Sequence, residues 1–299
     1  MVSSSGRSYA AAHFALELDG SDAIGLFRSI EGGGLRADVT TYAIGGSFER
    51  WRQVGKPKYE DIKLQVGMAM SEPFTRWIAD FFAGHATRKT GAIVAADFSY
   101  VERARRELDG LLIKELTFPR LDATDHGAAY MTVGLAVESI AFKRGDDRTR
   151  IQPAAGTAAQ KRWSAANFRL RLDGLDDACR RVTKVDAFTV KQAIAEHHLG
   201  GLLAPIKIPG AIEFPTLAFY VPEIDAQPFA DAMVAQHGPL TGALDCLDGT
   251  GRTLLSVGVA GAQLVAVAPD RCDAASEDIK LVKIELATEV MSFTYNREG

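Results

Sequence analysis

Apolar and polar residues alternate along many stretches of the chain, which is the pattern of half-buried β-strands. The longest alternations cover residues 131–142 and 282–293. A strand of this length needs hydrogen-bonding neighbours and a second layer over its apolar face. The pattern therefore predicts a mainly β fold of antiparallel sheets, with two long strands near the middle and the end of the sequence.

The alternating segments occur in two ordered sets. Phe14–Gly20 recurs as Phe168–Gly174, and Ile62–Val66 recurs as Leu217–Val221. The first pair consists of strands that stop at an Asp-Gly turn. Because the matches keep their order and nearly constant spacing over the whole length, the sequence indicates a tandem duplication. Differences in spacing of a few residues belong in loops.

One short helix is predicted in each set, directly after the second strand. Ser71 and Asp225 precede the helices, and each is followed within three residues by a proline that fits the first turn. Both side chains are expected to cap free backbone N–H groups. The expected helix ends are the glycines near positions 84 and 238.

The duplication predicts two domains and a linker. The first domain is expected to cover residues 1–150, the linker 151–160 and the second domain 161–299. Each domain is predicted to be an antiparallel β-barrel with one short packed α-helix. Period-two alternation predicts two core faces in the long strands, formed by Val133, Leu135 and Val137 and by Ile284, Leu286 and Thr288.

Charge and hydropathy exclude several classes of protein. The formal net charge is −4, and all of it lies in the second half, since residues 1–150 are balanced. A nucleic-acid-binding protein is expected to carry a basic excess. The longest uncharged run, Thr253–Pro269, is shorter than a bilayer span, and the first residues do not form a secretory signal. We therefore expect no membrane insertion and a cytoplasmic location.

Motifs that carry chemistry are weak in this sequence. Cys179, Cys246 and Cys272 are far apart, which fits neither a disulfide framework nor a zinc site. The cluster at residues 196–198 has the wrong spacing for a metal site, since adjacent strand residues point to opposite sides. We expect no catalytic, cofactor-binding or metal-binding residues, and no enzymatic activity.

Several short motifs in both halves form a recognisable set. In the first half they are Phe14…Leu18-Asp19-Gly20, Gly25-Leu-Phe27, Gly32-Gly-Gly34-Leu35, Val39…Tyr42…Gly45-Gly46 and Pro73-Phe74…Trp77-Ile78. In the second half the phrase Lys207-Ile208-Pro209-Gly210 predicts a turn before a strand, where the first half has only Gly55-Lys56-Pro57-Lys58. These motifs resemble the phage tail tube proteins, a family related to the type VI secretion tube proteins.

The resemblance implies a structural protein of the inner tube of a phage tail or contractile injection system. Members of that family form rings around a channel, usually with one domain per chain. Two domains per chain imply a trimer that forms a pseudo-hexameric ring, with rings stacking into a tube. The implied partners are sheath and baseplate proteins, and DNA or other cargo would pass through the lumen without specific binding. Alternatives are a baseplate hub or tube-initiator trimer, and a soluble β-barrel binding protein.

Two stretches that differ between the repeats are candidate assembly contacts. They are predicted to be loops, from about Thr41 to Lys58 and from about Glu196 to Ala211. Exposed Trp and Arg side chains are frequent contact residues, although Trp51 folded back as local core is an alternative. The candidate interface residues are Arg50, Trp51 and Arg52 in the first stretch and His197, His198 and Leu199 in the second.

Overall fold

The computed structural model describes residues 13–20, 25–43, 45, 48, 50–68, 70–151, 163–201, 204–270 and 279–296. Their structure is dominated by antiparallel strands, which confirms the predicted mainly β class. The strands of the first half are β1 (His13–Leu18), β2 (Gly25–Leu26), β3 (Ser29–Gly32), β4 (Leu35–Ala43), β5 (Arg50–Tyr59), β6 (Ile62–Val66), β7 (Lys89–Ala96), β8 (Glu102–Phe118), β9 (Leu121–Asp122), β10 (Met131–Ala136) and β11 (Ser139–Arg144).

The second half repeats this series of elements. Its strands are β12 (Phe168–Leu172), β13 (Lys184–Val185), β14 (Phe188–His197), β15 (Ile206–Glu213), β16 (Leu217–Pro222), β17 (Leu240–Leu247), β18 (Thr253–Pro269), β19 (Leu281–Ala287) and β20 (Val290–Tyr295). Three α-helices accompany the strands: α1 (Glu72–Phe82), α2 (Asp176–Cys179) and α3 (Gln227–Val234). The repeat predicted from the sequence thus has a structural counterpart.

Each half is organised around one long bent strand. In the first half, β8 pairs with β7 and β11 along its first part and with β10 along its second part. In the second half, β18 pairs in the same way with β17, β20 and β19. Gly110 and Gly261 lie between the two parts, with positive φ of 66° and 64°. Glycine adopts this backbone conformation without steric cost.

These bent strands correct the sequence prediction. Residues 131–142 and 282–293 are not single strands, because the chain breaks at Glu138 and at Glu289. The two pieces on either side of each break pair with different parts of β8 or β18. Thr253–Pro269, the longest uncharged run, is itself the seventeen-residue strand β18. The central strand of the second half, β18, therefore lies in a stretch that the sequence analysis considered only as a possible membrane span.

The helices follow the prediction in position but not in capping. Pro73 lies in the first turn of α1, and Gly84, with φ of 78°, follows the end of that helix as predicted. However, the Ser71 side chain makes no capping hydrogen bond, and α3 begins after Ala226 rather than Asp225. The predicted caps are therefore wrong. Helix α1 is held instead by packing, since Phe74, Trp77, Ile78, Phe81 and Phe82 are buried.

The core contains the faces predicted from alternation. Val133, Leu135, Val137, Ile284 and Leu286 are all buried. Thr288 is half-buried, and its hydroxyl donates to the carbonyl oxygen of Pro215 at 2.8 Å. A hydroxyl at the border of a core needs such a partner.

The two halves share hydrogen bonds across their sequence boundary. Strand β14 of the second half pairs with the second part of β8, and β13 pairs with β9. One cluster of buried apolar residues also extends through both halves. The division into domains at residues 1–150 and 161–299 stays a prediction. The predicted linker lies outside the described residues, apart from Ile151, which is buried.

Candidate assembly interface

The β4–β5 hairpin is a separate two-stranded sheet. Within the described part of the chain, neither of its strands pairs with a third. Both its length and its apolar character are unusual for an unpaired edge, which proteins normally protect because it can pair with another chain. The large apolar side chains that it exposes are Leu35, Val39, Tyr42, Trp51 and Val54, and Phe48 lies between the strands.

The corresponding hairpin of the second half, β14–β15, is not isolated. Its residues Phe188 to Lys191 pair antiparallel with residues 115–118 of β8. Val190 and Leu116 face each other in this ladder, and both are fully buried. The Thr117 and Thr189 hydroxyl oxygens lie 2.9 Å apart. The β14–β15 hairpin therefore extends the sheet of β8, whereas no described strand pairs with the β4–β5 hairpin.

The contact of β14, β15 and β20 with the first half is called here the internal interface. Five phenylalanines lie at its centre. The ring centroids of Phe118 and Phe188 are stacked 4.7 Å apart, and Phe82 lies 5.9 Å from Phe293. Phe82 also contacts Phe214, the residue that follows β15. Aromatic rings supply large buried areas with defined geometry, so this cluster fixes how the two halves meet.

Charged groups surround Lys207 at the internal interface. The Lys207 ammonium lies 3.2 Å from the Asp61 carboxylate, although its side chain is almost fully buried. The Lys207 backbone N–H donates to Glu138 at 2.7 Å, and the Arg88 guanidinium donates to the Lys207 carbonyl oxygen at 2.6 Å. Arg88 also pairs with Glu138 at 3.1 Å. A buried charge requires partners of this kind.

The pKa of Asp61 is lowered by these neighbours. Burial acts to raise it, but the hydrogen bond from Lys114 and the positive charges of Lys207 and Lys114 outweigh burial. The pKa of Lys114 is raised, chiefly by its hydrogen bond to Asp61. Both groups are therefore charged at neutral pH, and the internal interface contains a complete ionic network.

Of the six predicted interface residues, four lie on hairpin strands, and His198 and Leu199 lie in a loop as predicted. Arg50, Trp51 and Arg52 belong to β5. Trp51 pairs with Tyr42 and is two-thirds exposed, so it is not folded back as local core. His197 is the last residue of β14, His198 and Leu199 follow it, and all three are exposed. The two groups occupy the same region of the two repeated hairpins.

The predicted turn at Lys207, Ile208, Pro209 and Gly210 is wrong. These residues lie inside strand β15, where Pro209 is opposite Ile194. Proline is tolerated because β15 pairs on one side only, at a bulge of β14. By hairpin register, Gly210 corresponds to Gly55, and each glycine approaches a backbone oxygen of the partner strand. The counterpart of Lys207 is therefore Arg52, not a residue of the 55–58 stretch.

The residues that contact Lys207 were not predicted from the sequence. Asp61 and Glu138 are single acidic residues in unrelated stretches, and Arg88 follows a helix. Their proximity depends on which sheet β14 joins, which alternation does not encode. The sequence did single out Glu138 in one respect, because an acidic residue, Glu289, recurs at the same place in the second repeat.

Other candidate chemistry is limited. The described residues contain no cluster of three or more histidine, cysteine or acidic side chains suited to a metal ion. Burial raises the pKa of the Cys179 thiol to about 12 and also raises the pKa of Cys246. Both thiols are therefore protonated at neutral pH and poor nucleophiles. Cys272 lies outside the described residues. None of the described helices is both long and apolar enough to cross a bilayer.

The structure combines a repeated β fold with one hairpin, β4–β5, that no other described strand joins. Residues 10–141 match the family model of the T4-like virus tail tube protein gp19. The first half is therefore similar in sequence to this family, which confirms the resemblance predicted from its motifs. A comparison with curated protein sequences gave no significant match.

The comparison with solved structures gave matches with TM-scores of 0.40 or lower, one of them in an extracellular contractile injection system. A chain of the PVC sheath–tube complex is 19% identical, with a TM-score of 0.40, over 47% of this chain and 94% of the other. A chain of the anti-feeding prophage tube-terminating cap is 18% identical, with a TM-score of 0.40, over 46% and 93%. A chain of the anti-feeding prophage baseplate is 12% identical, with a TM-score of 0.35, over 43% and 93%.

Proposed function

We propose that this chain is a structural subunit of the inner tube of a phage tail or phage-tail-like contractile injection system. The observation that carries the proposal is the family match of residues 10–141, joined to a fold in which one repeated hairpin is seated and the other is exposed. A non-enzymatic role agrees with this family. The particle that contains the subunit would be a phage tail or a tail-like assembly.

The proposed assembly is a ring of three chains. Each chain contributes two related β units, so three chains provide six units around a channel. A head-to-tail contact repeated between units closes a ring when its rotation divides the circle. Rings of this kind would stack into a tube, and the proposed assembly contacts are Arg50, Trp51, Arg52, His197, His198 and Leu199.

The proposed partners follow from the tube role. Sheath proteins would surround the tube, and baseplate proteins would begin it. DNA or other cargo would pass through the lumen without specific binding, which agrees with a chain whose net charge is −4. Assembly would take place in the cytoplasm.

Electron microscopy of the purified chain tests the proposal. Hollow tubes or stacked rings with three chains per ring are the expected result. Single rings that never stack would favour a baseplate hub or tube initiator. Six chains per pair of layers, with each unit forming its own ring, would overturn the trimer. A chain that stays monomeric at all concentrations would overturn the structural role.

A further inference from the structure

The strand pairings of the two halves correspond residue by residue, so each contact of the internal interface has a defined counterpart. The hairpin strands correspond at a spacing of 155 residues: Arg36 pairs with Lys58 as Lys191 pairs with Glu213. The long strands and those after them correspond at 151 residues, as Gly110 and Gly261 show. With these two spacings, each residue of the internal interface can be assigned a counterpart in the other half, and these counterparts form a second set of residues.

This second set lies on two surfaces that no described strand covers. Leu35 corresponds to Val190, and Val267 corresponds to Leu116. Leu35 is 54% exposed, whereas Val190 is fully buried. Val267 pairs with β19 on one side, and no described strand covers its other side. Phe142 is 61% exposed, whereas its counterpart Phe293 is 6% exposed. Surfaces that are buried in one repeat are therefore open in the other.

We infer that these two surfaces bind each other between two copies of the chain. The first half of one copy would add β4 to β18 of the next copy, with Leu35 opposite Val267 and Arg36 opposite Ala266. This inference rests on the proposed structural role, because it names the surface through which such a subunit meets its neighbour. Strand addition of this kind leaves both edges paired.

Charge supports this partner and sets its direction. Arg52 takes the place of Lys207, and Glu289 takes the place of Glu138. Pro239 replaces Arg88, the arginine that pairs with Glu138 inside the chain. Inside the chain the Lys207 side chain pairs with Asp61, and the Lys207 backbone N–H donates to Glu138. The counterpart of Asp61 is the uncharged Thr216, so the Arg52 guanidinium would have Glu289 of the next copy as its acidic neighbour. Among the described residues neither Arg52 nor Glu289 has an ion pair. The chain thus supplies a guanidinium on one surface and a carboxylate on the other.

A second charged pair arises from the end of the repeated strands. Inside the chain, the Tyr295 hydroxyl donates to the Met68 carbonyl oxygen. The counterparts of these residues are Arg144 and Glu223, both of which are exposed. Arg144 pairs at present with Asp147 at 3.0 Å on the surface, a contact of little energetic value. Between copies, Arg144 would lie beside Glu223.

The arrangement explains why one interface forms inside the chain and the other between chains. The internal interface is aromatic, whereas its counterpart replaces Phe82, Phe118 and Phe214 by His237, Pro269 and Tyr59. The counterpart is therefore less apolar, and its two basic residues lie on the first half while its two acidic residues lie on the second. Complementary charges favour contact between unlike halves and oppose contact between like halves.

Charge reversal tests the inference. The variant R52E/R144E should lose assembly, and so should E223R/E289R. The concentration for half-assembly should rise at least about tenfold in each, since like charges then face each other. The variant with all four changes should regain assembly, because the charges are again opposite. R76E/R180E, which changes the net charge as R52E/R144E does but at α1 and just after α2, should assemble as the unchanged chain does.

Cross-linking gives a second readout. With Cys272 replaced by serine, L35C/V267C should form disulfide-linked oligomers on oxidation, whereas R36C/V267C should not, because Arg36 faces the other side of the strand. If the charge-reversal variants assemble as the unchanged chain does and L35C/V267C does not cross-link, this inference is wrong, but the proposed tube role is not affected. Cross-linked chains that form neither rings nor tubes would overturn the tube role alone. No association by the unchanged chain would overturn both.

Discussion

The ammonium group of Lys207 lies 3.2 Å from the carboxylate of Asp61, although 146 residues separate them in the sequence. This contact joins strand β15 of the second half to the end of the β4–β5 region in the first half. Lys114 approaches the same carboxylate at 2.6 Å. The Lys207–Asp61 pair therefore connects the two halves, and it holds the β14–β15 hairpin against the first half.

Replacing Lys207 should destabilise the folded chain. In K207A, the half-buried Asp61 keeps Lys114 but loses its hydrogen bond from the buried Lys207 ammonium. We expect the free energy of unfolding to fall by about 1.5–3 kcal/mol, the range for hydrogen bonds to charged groups. Urea unfolding measures the change. K191A is the matched control, since Lys191 is exposed on β14, and it should change stability by less than about 0.5 kcal/mol. Equal effects in both variants would contradict the role of the pair.

The same carboxylate predicts a dependence of stability on pH. The pKa of Asp61 is lowered in the folded chain from its ordinary value of 3.8. The unfolded chain therefore takes up the proton first as the pH falls. The stabilisation is complete above the unfolded pKa and disappears as the pH falls through the folded pKa. The loss of stability between pH 5 and acid pH should be smaller in D61N than in the unchanged chain. Parallel stability curves for the two proteins would contradict this prediction.

Much of the fold can be predicted from alternation and repetition. The strand at Ile62–Val66 has the predicted bounds, and the buried face of Leu135 and Leu286 follows from period two. The bend of β18 at Gly261 could not be predicted, because an uncharged run has no period to locate it. The partner of β14 could not be predicted either, since alternation shows which side of a strand is buried but not which edge it joins.

The candidate interface residues were likewise predicted only in part. Trp51 and His197 were correctly placed on the surface, because aromatic and polar residues without a periodic apolar pattern point outward. The turn at Pro209 was wrong, because a proline at a one-sided bulge fits a strand as well as a turn. Asp61 gave no signal, since a single carboxylate becomes part of a site only when the fold brings a cation to it.

Removing the central aromatic contact should loosen the internal interface. Phe188 stacks on Phe118 at 4.7 Å, and both rings are buried. In F188A we expect a loss of about 3–5 kcal/mol, the range for buried Phe truncation. Amide exchange should also become faster in β14 and β15 than in β17. F98A is the control, since Phe98 is highly exposed and its removal leaves no cavity. An unchanged exchange pattern in F188A would show that the aromatic cluster does not hold the hairpin.

Truncating the repeated core leucines should have similar effects in the two halves. Leu135 and Leu286 are both fully buried. We expect L135A and L286A each to lower the free energy of unfolding by about 2–5 kcal/mol, as measured in urea. V290A is the control, because Val290 is half-exposed. Since one apolar cluster runs through both halves, each variant should shift a single transition. Two separate transitions would show that the halves unfold independently.

The exposed tryptophan of the open hairpin provides a test of stacking between rings. Trp51 is 66% exposed and pairs across the hairpin with Tyr42, which is also exposed. Because the indole ring makes no buried core contact, W51A should leave the unfolding midpoint of the dissociated chain unchanged. If Trp51 lies between stacked rings, its loss removes an apolar contact residue of the kind that dominates interfaces. Tubes formed by W51A should then be shorter or absent, while single rings still form, as counted by electron microscopy. F98A removes an equally exposed aromatic ring away from the hairpin and should leave tube length unchanged. Tubes of normal length in W51A would place this side chain outside the stacking contact and restrict the role of the hairpin to contacts within the ring.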